Sequence, residues 1–332
     1  SLSTVQGYKK FAVRCQKQFN LRTNELVVEI GSNDGSLLNE FIPYTYVIGV
    51  DPAREIAQTA QKKGIPTLVD FFTPKLARDI VFSGLGGPAS LIIANNVFAH
   101  VPDMLGFVSG VKELLAPEGV FCFEVSYLPD VLEKLYFDLI YSEHMSYHTI
   151  TALVPFFANN GLRIIDVERI PQHGGSIRCW VAHKDSHHAL NPHNVSQCLI
   201  EEHRLGLGGW EIYHRFRHRI HQAKQQFYDC VAPLIENGNS LCGYGAPAKL
   251  TTLMHQFRMD DLPIQAVIDD SPWKQGLYTP GYYLPIVPSS YLYEMEPDFT
   301  IIFAWNFAEE IVKKHRVYGG RFILPLPEAK IL

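Results

Sequence analysis

No two cysteines stand three positions apart anywhere in this 332-residue chain. Cys15, Cys122, Cys179, Cys198, Cys230 and Cys242 are widely scattered. That excludes the C-x-x-C spacing of a structural zinc site and fits small buried hydrophobes in a reducing compartment. An excess of basic charge is also missing: Lys and Arg number 29 against 34 Asp and Glu, for a formal net charge of -5. General nucleic acid binding, which needs a clustered basic face, is therefore not expected. No apolar run reaches the roughly 18 residues that cross a bilayer, and no secretory pattern follows Ser1. The expectation is a cytoplasmic protein without membrane or nucleic acid partners, a monomer or weak dimer. Finally, the G-x-G-x-x-G that brings a backbone against a pyrophosphate does not follow the first strand pattern.

What stands in its place is the stretch Leu26-Val27-Val28-Glu29-Ile30-Gly31-Ser32-Asn33-Asp34-Gly35. The apolar run fits a strand covered on both faces, Gly31 and Gly35 permit tight turns, and Ser36 through Phe41 can begin a helix. Tyr46-Val47-Ile48-Gly49-Val50 is a second strand that ends in Asp51-Pro52, where a carboxylate can accept hydrogen bonds from both ribose hydroxyls. Pro66 to Val69 delivers Asp70-Phe71-Phe72, a carboxylate for an adenine amine and aromatic rings for its face. Leu91 to Ala94 ends in Asn95-Asn96. An Asp at one strand end is ordinarily a cap or turn former. Four successive strand ends with suitable polar groups instead describe a nucleoside site, because ligands bind at the carboxyl ends of parallel strands. S-adenosylmethionine has no phosphate, and Glu29 is placed to hold its ammonium directly or through water.

Alternating strand and helix signals from Leu26 to Glu124, then two strands at Leu162–Val167 and Ser176–Val181, predict an α/β domain with an antiparallel edge. The polar stretch Asp185 to His193 reads as a connector. Ile212, Phe216, Ile220, Ala223, Phe227, Val231 and Leu234 recur at helical steps and predict a long helix whose basic run is a solvated face. A second α/β unit begins at Ser240 to Gly245, with further strands at Gln265–Ile268, Phe299–Phe303 and Phe322–Leu324. The expected boundaries are a linking helix over 1–20, a cofactor domain over 21–185, connector and long helix over 186–238, and a Rossmann-like domain over 239–332.

Several segments together resemble one family over nearly the whole chain. These are Glu29 through Gly35, Asp70-Phe71-Phe72, Asn95-Asn96 through His100, Tyr141-Ser142-Glu143-His144, His173-Gly174-Gly175, Gly243-Tyr244-Gly245-Ala246 through Lys249, and Phe303-Ala304-Trp305-Asn306. The chain is similar to the S-adenosylmethionine-dependent C-methyltransferases that act on nucleotide-linked 4-keto-deoxysugars. The resemblance implies a class I methyltransferase domain joined to a second Rossmann-like domain. It also implies an N-terminal zinc-binding module, absent from the sequence as given. Zinc is accordingly not expected, and Ser1 to Asn20 resembles the helix that follows that module.

Methyl transfer to carbon needs a carbanion equivalent, which a neighbouring ketone makes accessible to a side-chain base. The resemblance places that base at His144, with Tyr141 and Glu143 beside it and His100 as second choice. Asn96 and His100 match sugar-pocket positions, whereas His148 is expected to be packing or surface. Tyr244, Gly245, Ala246 and Lys249 are expected to bind a diphosphate, Asp269 and Lys274 the base or ribose, and His173 and Gly174 the nucleotide. Cofactor contacts are expected from Glu29, Gly31, Ser32, Asn33, Asp34, Gly35, Asp51, Pro52, Asp70, Phe71, Phe72 and Asn95. The expected reaction is C-methylation of a 4-keto-6-deoxysugar beside its ketone, most simply at C3. The alternative is O- or N-methylation of a small molecule, which needs the same cofactor half without an enolisable ketone.

Overall fold

Runs of branched apolar residues bounded by glycine, proline and polar turns become strands buried on both faces in each of two units. The computed structural model describes residues 2–82, 84, 86–171 and 174–332, with side chains from Gln6 onward. Contacts divide the chain into one unit of 1–127 with 145–204 and another of 128–144 with 205–332.

Among the described residues the first unit has seven strands: β1 Leu26–Ile30, β2 Tyr46–Val50, β3 Thr67–Leu68, β4 Ala89–Asn95, β5 Leu115–Ser126, β6 Leu162–Ile170 and β7 Ser176–His183. Their order is β3-β2-β1-β4-β5-β7-β6. β1 lies between parallel partners, Val28 opposite Ile48 on one side and Ile92 on the other. β7 enters antiparallel between β5 and β6, the class I methyltransferase arrangement. All five residues of β1 are buried, the carboxyl-bearing Glu29 among them.

Three local expectations change. After Gly35 the chain makes only a short 3-10 turn, Leu38–Glu40, rather than a longer helix; Pro43, lacking an N–H, follows within one turn. The supposed linker helix, Leu2–Gln18, buries Phe11, Ala12 and Cys15 in the first unit. Arg14 also pairs with Glu168 there. The supposed connector contains the helix Pro192–Leu205. Pro192 stands at its first helical position, where proline costs no hydrogen bond. That helix carries Glu202, which is 2% exposed and accepts from Tyr127 Oη at 2.8 Å and from the amides of Ile150 and Thr151 at 2.6 and 2.7 Å. A buried carboxylate thereby caps the positive end of helix Ile150–Asn159.

The second unit has the strands β8 Leu241–Tyr244, β9 Ile264–Ile268, β10 Ile286–Val287, β11 Phe299–Ile302, β12 Arg321–Leu324 and β13 Lys330–Ile331, ordered β10-β9-β8-β11-β12-β13. Only the β12–β13 pair among them is antiparallel. The long helix is Glu211–Glu236, and its Ile212, Phe216, Ile220, Ala223, Phe227 and Val231 are buried as the periodicity predicts. It belongs to this unit rather than to a connector. The excursion Leu128–His144 packs here too, through Arg219 donating to the Leu132 carbonyl at 2.9 Å and Phe137 stacking on Phe257 at 5.7 Å. Among the described residues no helix is long and apolar enough to cross a membrane.

His148 is packing, 4% exposed and stacked on Phe98 at 5.1 Å between centroids. Burial pushes its imidazole down to about 4 from an ordinary 6.5, against a hydrogen bond to the Phe98 backbone. Its neutral state therefore supports the fold above pH 6.5, and that support is lost as pH falls towards 4. The expected loss is at most about 3 kcal/mol. His148→Asn should flatten this acid limb in urea unfolding between pH 7 and 4; an unchanged slope would refute the assignment.

Candidate functional site

In the first unit the loops after β1, β2 and β4 converge. Gly31 has φ +71° and donates its amide to Val50 O at 2.8 Å. A Cβ there would lie 2.5 Å from Val97 Cγ2, so only glycine lets the β4 loop come this close. Asn33, also left-handed at φ +53°, donates its amide to Asp51 Oδ2 at 2.8 Å, and Ala53 donates to Asp51 Oδ1 at 2.9 Å. Asp51 thus ties two loops together, each oxygen retaining a second acceptor direction. Pro52 beside it is exposed.

Glu29 is the most unusual group. Its side chain is buried, and Oε2 has no hydrogen-bond partner among the described residues. Burial, then the charges of Asp34 and Asp51, drive its carboxyl well above the ordinary range. Ser32 Oγ and Asn95 Oδ1 are likewise buried without partners. Unmet acceptors are costly unless a ligand supplies donors. An ammonium, with three N–H bonds and a positive charge, fits this set, whereas a phosphate would add charge of the wrong sign. The ammonium end of S-adenosylmethionine has the required chemistry.

Other expected cofactor residues divide. Asp70 and Phe71 are exposed at the end of the β3 segment, with the Phe71 amide on Asp70 Oδ1 at 2.8 Å. Phe72 points elsewhere: it packs edge-on against Phe107 at 5.2 Å and joins the core. Asp34 is held below the usual carboxylate range by Lys63, whose ammonium lies 2.6 Å away, despite partial burial. Gly35, φ +74°, serves packing, since a Cβ would strike Ile65 Cδ1 at 2.4 Å. Asn96 is exposed at φ +56°, and His100 ends the 3-10 turn Phe98–His100. Two contributors were missed. Gly49 leaves room for Ser32, whose Oγ would meet a Cβ there at 2.5 Å. Tyr8 on the first helix is raised by burial and then by the charges of Glu29, Asp34 and Glu124. Neither position stands in a recognisable motif.

Tyr141, Glu143 and His144 belong to the second unit. His144 Nδ1 lies 2.8 Å from the Leu139 carbonyl, which can only accept, so Nδ1 carries the proton. Nε2 is then the basic nitrogen, and Tyr141 Oη donates to it at 3.1 Å. The rings lie 4.3 Å apart. Burial, then Glu143 and Asp138, raises the Tyr141 phenol and keeps it a donor. The Leu139 carbonyl, not the exposed Glu143, orients this imidazole through Nδ1.

The expected diphosphate turn is differently employed. Gly245, φ +89°, gives its amide to Ile268 O at 2.6 Å, and Ala246 gives its amide to Asp269 Oδ2 at 2.7 Å. Lys274 Nζ is bound to Ala246 O at 2.9 Å. Tyr244 Oη donates to Asp270 Oδ2 at 2.9 Å and accepts from His315 Nε2 at 2.8 Å. Tyr244, Gly245, Asp269 and Asp270 border a cavity of about 460 Å³ that Glu310 and Lys314 also line, with the Lys314 ammonium paired to Asp270 at 2.5 Å. Lys249, expected at the phosphate, is 8% exposed, 3.1 Å from Asp138 Oδ2 and 4.4 Å from the Trp305 ring. Gly174 has φ +88°, while His173 lies outside the described residues.

For Glu29 the pH sign is reversed relative to a salt-bridged carboxylate. Without ligand, stability falls as pH rises from the ordinary 4.5 through the raised folded value. Glu29→Gln should remove that fall, melting above wild type at pH 8, while weakening S-adenosylmethionine binding by about tenfold or more. Thermal melts and calorimetric titration check both, and a variant that binds as wild type would remove Glu29 from the site.

Two family matches cover the chain in succession: a methyltransferase domain over residues 8–167 and a C-methyltransferase C-terminal domain over residues 171–327. Among solved structures, similarity extends to magnesium protoporphyrin IX methyltransferase from Synechocystis PCC 6803 with bound SAH. That match has 17% identity and TM-score 0.42 over 55% of this chain and 84% of that one. An S-adenosylmethionine-dependent methyltransferase from Clostridium acetobutylicum ATCC 824 matches at 13% identity and TM-score 0.41, over 54% and 91% of the respective chains. The C-methyltransferase NovU of Streptomyces niveus is 34% identical over 99% of this chain and 79% of its own length. On that similarity, the chain belongs to the C-methyltransferase family and is a C-methyltransferase.

Proposed function

We propose that this C-methyltransferase uses S-adenosylmethionine to methylate a nucleotide-linked 4-keto-6-deoxysugar at the carbon beside the ketone, C3 being the expected position. The observation that carries the reading is the His144 imidazole. Its Nδ1–H is fixed on Leu139 O, and the basic Nε2 sits beside a phenol donor. His144 Nε2 takes the proton from the carbon next to the ketone, and the bond's electron pair moves to the carbonyl oxygen as an enolate. Tyr141, a phenol kept protonated, can pass its hydrogen bond from Nε2 to that oxygen as charge develops. The enolate carbon then bonds to the methyl group as the carbonyl re-forms. When bound, S-adenosylmethionine supplies that methyl as an electrophile on a sulfonium, which departs as a neutral thioether.

Glu29, Ser32 and Asn95 hold the amino acid end of the cofactor, Asp51 the ribose, and Asp70 with Phe71 the adenine. The carboxylate-lined cavity beside Gly245 takes hydroxyls of the nucleotide's ribose. Asn96 and His100 contact the sugar.

In deuterated water without methyl donor, the enzyme should exchange the proton beside the ketone. With S-adenosylmethionine, mass spectrometry should find one added methyl on that carbon. His144→Ala should lower both by about 10²- to 10⁴-fold, the usual worth of a positioned base. Tyr141→Phe should slow exchange less. Neither exchange nor transfer across a panel of uridine, thymidine and guanosine diphosphate 4-keto-6-deoxyhexoses would overturn the substrate; methylation of oxygen or nitrogen without exchange would establish the alternative.

A further inference from the structure

Lys249 follows a glycine turn that looks made for phosphate, yet its ammonium is used inside the second unit. Nζ lies 3.1 Å from Asp138 Oδ2 as an ion pair rather than a well-directed hydrogen bond, and it sits over the faces of Trp305 and Tyr136 at 4.4 and 5.5 Å. Asp138 has no exposed surface, and the same Oδ2 receives Trp305 Nε1 at 2.6 Å. Such a pair is poor material for stability. Desolvating two charges costs about as much as their attraction returns, and apolar replacements of both partners are often neutral or better. Its value lies in fixing one arrangement of the chain.

What it fixes is next door. Asp138 occupies the 3-10 turn Phe137–Leu139, and the following carbonyl, Leu139 O, holds His144 Nδ1. Between Asp138 and His144 the chain is tied by short-range turns: Ile140 N to Phe137 O, Tyr141 N to Leu139 O and His144 N to Tyr141 O, at 2.9 to 3.2 Å. Thr252 reaches the Ile140 carbonyl only at 3.4 Å. Local turns move together, so the clamp on Asp138, together with Phe137 stacked on Phe257 at 5.7 Å, sets where the Leu139 carbonyl stands.

We propose that Lys249 and Asp138 are a buried positioning pair that holds the Leu139 carbonyl in place and so fixes the tautomer and aim of His144. The proposal rests on the reading of His144 as the base. Both groups are buried against each other, which separates this role from the phosphate contact that the glycine turn led us to expect of Lys249.

Lys249→Met keeps the stem over the rings and removes the charge; Asp138→Asn keeps an acceptor for Trp305. In each, turnover for carbon-proton exchange should fall by about tenfold or more, since small misplacement of a reacting group is costly. KM for the sugar nucleotide and Kd for S-adenosylmethionine should stay within about twofold for the same reason, as no binding contact is lost. The paired variant Asp138→Asn/Lys249→Met leaves no lone buried charge. It should melt like wild type yet remain slow.

Nitrogen shifts of ¹⁵N-histidine protein, with His144 assigned by its Ala variant, should show the Nδ1–H tautomer in wild type and a mixture in the variants. A raised KM with unchanged turnover in Lys249→Met would make it a phosphate ligand and overturn the proposal, as would full turnover in the paired variant. Unchanged tautomer populations would do the same. Should wild type exchange no sugar proton, the base reading falls by itself, and the tautomer measurement still decides whether the pair positions His144.

Discussion

A parallel sheet covered on both faces gives a chain nowhere to put polar chemistry except at the ends of its strands. Ladder bonds use the backbone groups along each strand, and apolar neighbours exclude side-chain charge from both faces. In the first unit β1 obeys this except at Glu29, whose carboxylate is buried near the strand end with an oxygen unmet. The loops that follow are shaped around that position. Gly31 admits Val97, Gly49 admits Ser32, and Asp51 ties the loops after β1 and β2.

Burial raises a carboxyl in each of the two units, with different outcomes. Glu29 is driven towards its neutral form by burial and then by the charges of Asp34 and Asp51, which leaves a demand that a cationic ligand can satisfy. Asp138 is also raised by burial, and Lys249 lowered, but each pulls the other back towards charge. One buried carboxylate is therefore suited to binding and the other to holding the chain. The aromatic rings over Lys249 serve the second role, shielding an ammonium whose hydrogen-bonding capacity is only partly met.

Both units place functional groups where Rossmann-like sheets usually do, yet their ends differ in sign and employment. The first offers unmet acceptors; the second closes its turn upon itself through Asp269 and Lys274. A carboxylate that takes the Ala246 amide removes a phosphate donor and adds charge that repels one.

The strands were legible because period and apolar content are local. Leu26–Ile30, Tyr46–Val50 and Ile264–Ile268 stand where the runs of valine and isoleucine lie, and the stripe Ile212 to Val231 gave its helix directly. The nucleoside character of the first unit followed from residues at successive strand ends, and family membership from motifs spread along the chain. The connector stretch Asp185 to His193 runs into a helix at Pro192, because a proline that interrupts one helix can equally open the next. The fates of Phe72 and Lys249 were not legible, since an aromatic ring or an ammonium has the same name whether it meets a ligand or a core. Sequence by itself determined which chemistry the chain carries and where its sheets run. Tertiary structure alone decided which polar groups were already satisfied, because a hydrogen bond or ion pair between residues far apart in the chain exists only once folding has brought both partners into place.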